Sequence, residues 1–236
     1  YLVFDALNRP IETILPDDTP NDLSDNPRTK VEYNELGQLV ARIDELGNRE
    51  EFEYDTDGRL IESRSDCNCR RKTYTYDAAG NKITETDQLG NTTRFIYDEL
   101  NRLVESRYQD DSFTTTTYDD LGRVIAETDQ EEKTTQFEYD TRDRLTAVID
   151  ALQQRTEYSY DLTGNLIEIE EANNHVTLHE YDALNRRTAT ILPMGQRSTT
   201  TYDEVGNIAT VTDFNNDTIE YDYDALNRMI VKRFPD

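Results

Sequence analysis

The sequence predicts an all-β fold: tandem antiparallel β-hairpins of about 21 residues, joined into one continuous curved or spiralling open sheet. Three observations predict it. An aromatic residue followed by Asp or Asn, with Gly, Asn or Asp three places further on, recurs eleven times, at Phe4 and then at Tyr33, Tyr54, Tyr76, Tyr97, Tyr118, Tyr139, Tyr160, Tyr181, Tyr202 and Tyr223. From Tyr33 onward the spacing is 21 residues, with a single 22 between Tyr54 and Tyr76. Four places after each aromatic residue only Gly, Asn or Asp occurs. A fixed short period means that one small supersecondary unit is repeated and stacked. The lack of a 42-residue alternation argues against a propeller with two hairpins per blade.

The unit around Tyr97 serves for all. Thr92-Thr93-Arg94-Phe95-Ile96-Tyr97 is β-branched and aromatic, with Thr93, Phe95 and Tyr97 at alternate places, which is strand chemistry. Asp98-Glu99-Leu100-Asn101 reads as a tight turn, and Arg102 to Arg107 as the returning strand. The corner residues, four past the aromatic, are Asn8, Gly37, Gly58, Gly80, Asn101, Gly122, Asp143, Gly164, Asn185, Gly206 and Asn227. These types accept a positive φ at least cost, as a type I turn followed by a left-handed bulge residue requires. The residue opening each turn (Asp55, Asp77, Asp98, Asp119, Asp140, Asp161, Asp182, Asp203, Asp224) can fold its carboxylate onto backbone N–H groups two residues on. Turn-making is the main reading of these carboxylates; cation binding is the alternative.

After the corner comes Arg or Asn, as at Arg59 and Asn81, with Gln38 as an outlier. Paired aliphatic residues follow, as in Leu60-Ile61, Val124-Ile125 and Leu166-Ile167. Either both faces receive cover there, or a bulge shifts the register. The second connection, about eleven residues past each Tyr, is expected to be looser. It is a clear turn at Asp44-Glu45-Leu46-Gly47-Asn48 and at Asp87–Asn91, and a weaker one at Asp129–Lys133 and Glu171–His175. Two departures remain. The 29-residue interval between Phe4 and Tyr33 implies a protruding loop around 16–28, and the 22-residue repeat places its extra residue near Cys67-Asn68-Cys69. Two strands per repeat add roughly 10 Å, and a sheet of that many strands is expected to twist and curl.

The array runs almost end to end, so residues 1–236 form one domain, and its mid-unit ends suggest a piece of a longer chain. Hydrophobic content of 35% leans toward disorder, but 15 Tyr and 7 Phe oppose it. Each buried ring removes on the order of 150–250 Å² from water, an upper bound of roughly 4–6 kcal/mol. A net charge of −25 makes nucleic acid and anionic lipid poor partners. No stretch is apolar enough to enter a bilayer, and no signal peptide is visible.

Cys67 and Cys69 are too close for a relaxed disulfide and supply half of a zinc site. They are read as a strained clip in an oxidising compartment or as free thiols. His175 and His179 lie on a strand-like segment, roughly 13 Å apart, and are read as surface residues. No nucleophile elbow, phosphate loop or dinucleotide fingerprint occurs, so no enzyme activity, cofactor or metal is expected.

Tyr118-Asp119-Asp120-Leu121-Gly122-Arg123-Val124 resembles the YD repeat of Rhs proteins. So do Tyr54-Asp55-Thr56-Asp57-Gly58-Arg59-Leu60 and Tyr97-Asp98-Glu99-Leu100-Asn101-Arg102-Leu103, and Gly90-Asn91-Thr92-Thr93 before Tyr97 fits as well. The resemblance covers nearly the whole chain. It implies hairpins coiled side by side into a hollow β-shell, of the kind that encloses a C-terminal toxin in Rhs and toxin-complex proteins. Wall-associated proteins and teneurins carry related shells at cell surfaces. The chain lacks the family's Asp-Pro-x-x-Gly cleavage motif and a toxin tail. The expected function is therefore structural: shell wall on a secreted or surface-delivered protein, partnered by the rest of its own chain and an enclosed polypeptide. The alternatives are a carbohydrate- or cell-surface-binding module, in which ordered Tyr rings stack on glycans, and homotypic assembly through open strand edges.

Overall fold

The computed structural model describes residues 1–15, 26–66 and 70–235. Most of the expected loop around 16–28, and both Cys67 and Cys69, lie outside the described residues. The chain divides into two compact units, Tyr1–Thr116 and Thr117–Asp236. The described residues contain no helix, hence none long and apolar enough to cross a membrane.

The first unit holds β1 (Leu2–Phe4), β2 (Pro10–Ile14), β3 (Arg28–Tyr33), β4 (Leu39–Ile43), β5 (Arg49–Tyr54), β6 (Leu60–Ser65), β7 (Arg71–Tyr76), β8 (Lys82–Thr86), β9 (Thr92–Tyr97) and β10 (Leu103–Arg107), and runs into β11 (Phe113–Tyr118). The second holds β12 (Val124–Thr128), β13 (Thr134–Tyr139), β14 (Leu145–Ile149), β15 (Arg155–Tyr160), β16 (Leu166–Glu170), β17 (Val176–Tyr181), β18 (Arg187–Ile191), β19 (Arg197–Tyr202), β20 (Ile208–Thr212), β21 (Thr218–Tyr223) and β22 (Met229–Arg233). Within each unit every strand pairs antiparallel with the next in sequence, as β3 with β4 and β4 with β5, or β13 with β14 and β14 with β15. All 22 strands belong to one open antiparallel sheet, as the repeat predicts.

The register explains the paired aliphatic residues. Glu138 faces Ala147, but Tyr139 faces Leu145, so Thr146 is an extra residue beside the signature tyrosine. The same shift falls next to Tyr33, Tyr54, Tyr76, Tyr160, Tyr181, Tyr202 and Tyr223. A bulge of this kind turns two neighbouring side chains toward one side and sharpens local twist. It settles the choice left open by the sequence: the register shifts.

The sheet is a single layer. In each unit a strand lies against only its neighbours in sequence among the described residues. Among the described residues no large side chain is fully buried, and all ten signature tyrosines are half-buried. In the second unit the two faces differ. Directly opposed residues share a face, so Phe137, Val148, Thr156, Tyr158 and Ile169 line one side. Glu138, Ala147, Glu157 and Glu170 belong to the other.

Two buried alanines of the second unit, Ala147 and Ala189, sit beneath ion pairs on that charged side, and Ala41 of the first unit sits beneath one of its own. Arg155 Nη1 and Nη2 meet Glu138 Oε1 and Oε2, both at 2.8 Å, across the intervening β14, where Ala147 is 0% exposed. Arg49 and Glu32 bridge Ala41 in the same way, and Arg197 and Glu180 bridge Ala189. Exposed ion pairs stabilise little on their own. Here the planar two-point geometry fixes the arginine over a residue small enough to pass beneath it.

Candidate functional site

The signature residues gather along the edge formed by the Tyr-Asp turns. Asp55 shows the local chemistry. Its N–H donates to Arg59 O at 2.9 Å, and the Gly58 N–H donates to Asp55 O at 3.1 Å, closing the turn. Asp55 Oδ1 accepts the N–H groups of Asp57 and Arg59 at 3.0 and 2.9 Å. Asp55 Oδ2 accepts Arg59 Nε at 2.7 Å. The carboxylate thus folds back on its own turn and holds the arginine that follows the corner. The same Nε–Oδ2 bond, at 2.7 Å, joins Arg102 to Asp98, Arg123 to Asp119, Arg144 to Asp140, Arg186 to Asp182 and Arg228 to Asp224.

The backbone N–H of Arg59, more than its charge, holds the Asp55 carboxyl below the ordinary carboxylate range, and the backbone N–H of Arg102 does so for Asp98. At Asp161 partial desolvation pushes upward, but hydrogen bonds from Asn165 and Thr163 outweigh it and hold the group at about 2.

Each corner has a positive φ: 82° at Gly58, 93° at Gly80, 59° at Asn101, 84° at Gly122, 99° at Gly164, 61° at Asn185, 100° at Gly206 and 59° at Asn227. The opposite connections use the same turn, contrary to the looser geometry expected there. Asp129 N–H donates to Lys133 O at 3.0 Å, and Glu132 takes φ 63°; Asp150 pairs with Gln154 O at 3.0 Å, and Gln153 takes φ 63°. The opening carboxylates of Asp129 and Asp150 cap these two turns as well, while Tyr108 and Leu192 open turns of the same form without a carboxylate.

What distinguishes the Tyr-Asp edge is the bonding between successive repeats. The hydroxyl of each of seven signature tyrosines donates to a carbonyl on the preceding strand: Tyr54 to Leu39 at 2.8 Å, Tyr76 to Leu60 at 2.7 Å, Tyr97 to Lys82 at 3.0 Å, Tyr139 to Val124 at 2.9 Å, Tyr160 to Leu145 at 2.8 Å, Tyr181 to Leu166 at 2.9 Å and Tyr202 to Arg187 at 2.9 Å. The arginine after one corner covers the next tyrosine. Guanidinium-to-ring distances are 4.5 Å for Arg9 and Tyr33, 5.1 Å for Arg59 and Tyr76, 4.8 Å for Arg123 and Tyr139, 4.7 Å for Arg144 and Tyr160, and 4.2 Å for Arg186 and Tyr202. Aspartate, arginine and the following tyrosine therefore form a chain of contacts from repeat to repeat.

A second junction replaces arginine by asparagine. Asn81 Nδ2 bonds its own Asp77 at 2.9 Å and reaches the next corner, Asn101 Oδ1, at 2.7 Å. Asn165 reaches Asn185 at 2.8 Å, and Asn207 reaches Asn227 at 3.2 Å. In sequence the pairing is strict. Every Asn after a corner precedes an Asn corner, and every Arg precedes a Gly or, at Asp143, an Asp that Arg123 Nη1 meets at 2.7 Å. A comparison of each post-corner residue with the next corner would have revealed this in the sequence alone.

The remaining candidates do not converge on a reactive centre. His175 is exposed in a turn, and His179 Nδ1 lies 3.1 Å from Thr190 Oγ1, with its pKa lowered by desolvation and then by Arg187. Among the described residues no three His, Cys, Asp or Glu side chains are placed to hold a metal.

Comparison with known proteins agrees with this architecture. The Teneurin YD-shell model matches residues 17–134, half of the chain. The RHS Repeat model matches residues 118–155, 142–176, 160–197 and 181–218. No curated protein matches the chain. Among solved structures it is similar to TcdB2-TccC3-TEV, at 17% identity and a TM-score of 0.72 over 96% of this chain. It is also similar to TcdB2-TccC3 without its hypervariable C-terminal region, at 15% identity and a TM-score of 0.51 over 98% of this chain. It spans 13% and 16% of the lengths of those chains, and identity that low bears on fold alone. With the 21-residue hairpin, the Tyr-Asp edge and two family models in accord, the chain belongs to the Rhs/YD-shell repeat family.

Proposed function

We propose that this chain is a non-catalytic segment of an Rhs-type β-shell wall that encloses or presents a polypeptide, such as a toxin, on a secreted or surface-delivered protein. The observation that carries the reading is the single-layered sheet. Both of its faces lack a covering layer among the described residues, while its repeats are tied edge to edge by tyrosine hydroxyls and stacked arginines. Such a sheet suits a wall better than a globular core. In the second unit one face carries Phe137, Val148, Tyr158 and Ile169, with Glu127 and Lys232 among its few charges, and an apolar stretch of this kind suits contact with a non-native polypeptide. The guanidinium groups over five of the tyrosine rings leave those faces unavailable for stacking on sugars, which favours the wall over the glycan-binding alternative.

The test is limited proteolysis of the full polypeptide that carries this array. The wall reading expects a passenger segment that resists protease in the intact protein and becomes digestible when Tyr160 and Tyr181 are both changed to alanine. A passenger cleaved equally fast in both forms overturns it.

A further inference from the structure

A groove of about 400 Å³ opens on the apolar face of the second unit, between the turns that begin at Asp150 and Glu171, opposite the Tyr-Asp edge. Val148, Tyr158 and Ile169 line it, both carboxylate residues border it, and none of its lining residues is basic. The two acids are bound differently. Asp150 Oδ1 accepts the N–H groups of Leu152 and Gln154, both at 2.8 Å, and so caps its own turn, as Asp129 and Asp213 cap theirs. Glu171 opens a turn of the same form, but there Asn173 Oδ1 accepts the His175 N–H at 3.0 Å. The Glu171 carboxylate is released from its turn. Its side chain is 58% exposed, and His175 Nδ1 lies 3.9 Å away.

The corresponding face of the first unit shows what such a place accepts. Tyr74 stands two residues before its signature tyrosine, as Tyr158 does. Lys82 Nζ lies 5.6 Å from the Tyr74 ring and 4.7 Å from the Phe95 ring, and meets Glu85 Oε2 at 2.7 Å. Lys72 Nζ meets the other oxygen of Glu85 at 2.6 Å. There the chain supplies its own ammonium groups, each set against a carboxylate, and one of them also against two rings. Within the second unit, Lys232 faces Tyr221 as Ile169 faces Tyr158, with its ammonium 5.8 Å from the ring. In the groove the ring and the carboxylate are present, and leucine, isoleucine and threonine (Leu166, Ile169 and Thr156) stand where β7 and β8 carry Lys82, Glu85 and Lys72.

We propose that this groove binds a primary ammonium group carried on an apolar stem, as in a lysine side chain or an aliphatic diamine. The stem lies along Val148 and Ile169, the ammonium sits against the Tyr158 ring, and the Glu171 carboxylate accepts its proton donors. Asp150 adds negative charge from the other side, because Oδ2 is left over from capping. A neutral ligand of the same shape gains the apolar contact alone, and an anion meets two carboxylates.

The experiment titrates the whole, isotope-labelled chain with pentylamine, pentanol, cadaverine and a blocked Val-Lys-Val peptide, and follows the backbone amide signals of Ile169 and Ala172 by NMR. Pentylamine is expected to shift both signals saturably, and pentanol is expected to leave them in place. Since the chain's net charge of −25 attracts any cation, single-site variants carry the decision. Glu171→Gln, an exposed change that removes no turn cap, is expected to weaken pentylamine binding roughly fivefold, the loss of one charged contact. Ile169→Lys is expected to abolish it, because the new side chain lays its own ammonium on the Tyr158 ring, as Lys232 does on Tyr221. Tighter binding of the peptide than of cadaverine supports the site and names a polypeptide lysine as its source; the reverse order supports it and names a free diamine. The proposal is overturned by an absence of saturable shifts, by equal shifts with pentanol, or by pentylamine binding that neither variant weakens. The wall reading makes no demand on this groove and stands or falls separately.

Discussion

The two ends of each hairpin carry the same turn and different bonding. At the Tyr-Asp end Asp140 caps a turn whose corner, Asp143, has φ 62°; at the far end Asp150 caps a turn whose corner, Gln153, has φ 63°. Backbone geometry cannot be why the Tyr-Asp end admits only Gly, Asn and Asp while the far end admits Glu132 and Gln153. The difference lies between repeats. At the Tyr-Asp end Arg144 Nη1 donates to the Asp161 carbonyl of the next turn at 3.1 Å, its guanidinium covers Tyr160, and Tyr160 bonds back to Leu145. The repeat signature is thus mainly a junction device, in which the corner must suit the side chain arriving from the repeat before it.

Substitutions can break this comparison. The largest effect is expected at Tyr160, because its ring, hydroxyl and arginine contact are all lost in Tyr160→Ala. That change is expected to cost about 3 kcal/mol in urea unfolding. Tyr160→Phe keeps the ring and removes the bond to Leu145, so that about 1 kcal/mol is expected. A Phe variant as unstable as the Ala variant would assign the whole effect to the hydroxyl.

Acid should act next, through many turns at once. The carboxyls of Asp55, Asp98 and Asp161 are held below their ordinary range in the folded chain, the last at about 2. A carboxyl whose folded pKa is depressed contributes stability above its unfolded pKa, and that contribution is lost as pH falls through the folded value. The thermal midpoint should hold level down to about pH 4 and then fall continuously toward pH 2. A level midpoint through that window would contradict the capping role.

The smallest expected effect sharpens the comparison by sign. Gln153→Gly relieves a left-handed backbone and breaks no junction, so a gain of about 0.5 kcal/mol is expected, net of the glycine entropy cost. Asn185→Gly gains less relief and loses the bond from Asn165, so a loss of about 0.5 kcal/mol is expected. Equal shifts of one sign in differential scanning calorimetry would erase the distinction between the two ends.

Much of this was legible in the sequence, for physical reasons that also mark where legibility ended. The period and the alternation of Phe95 and Tyr97 gave the hairpins, and the restriction to Gly, Asn or Asp gave the left-handed corners. The far turns are harder to read because Glu132 and Gln153 are poor left-handed formers, although their 21-residue alignment with Gly90 and Gly195 carries the signal. The stacking of Arg144 on Tyr160 was not legible, since it joins residues 16 apart on neighbouring strands and depends on register. The ion pairs over Ala41, Ala147 and Ala189 span two strands and were hidden for the same reason.

The most direct test of the junction account is a double-mutant cycle on Arg144 and Tyr160, using Arg144→Ala, Tyr160→Leu and the double variant in equilibrium unfolding. The account predicts a coupling energy of about 1 kcal/mol between two side chains that belong to successive repeats. Additivity to within about 0.3 kcal/mol would contradict it, and would return the signature residues to the role of turn formers within their own hairpins.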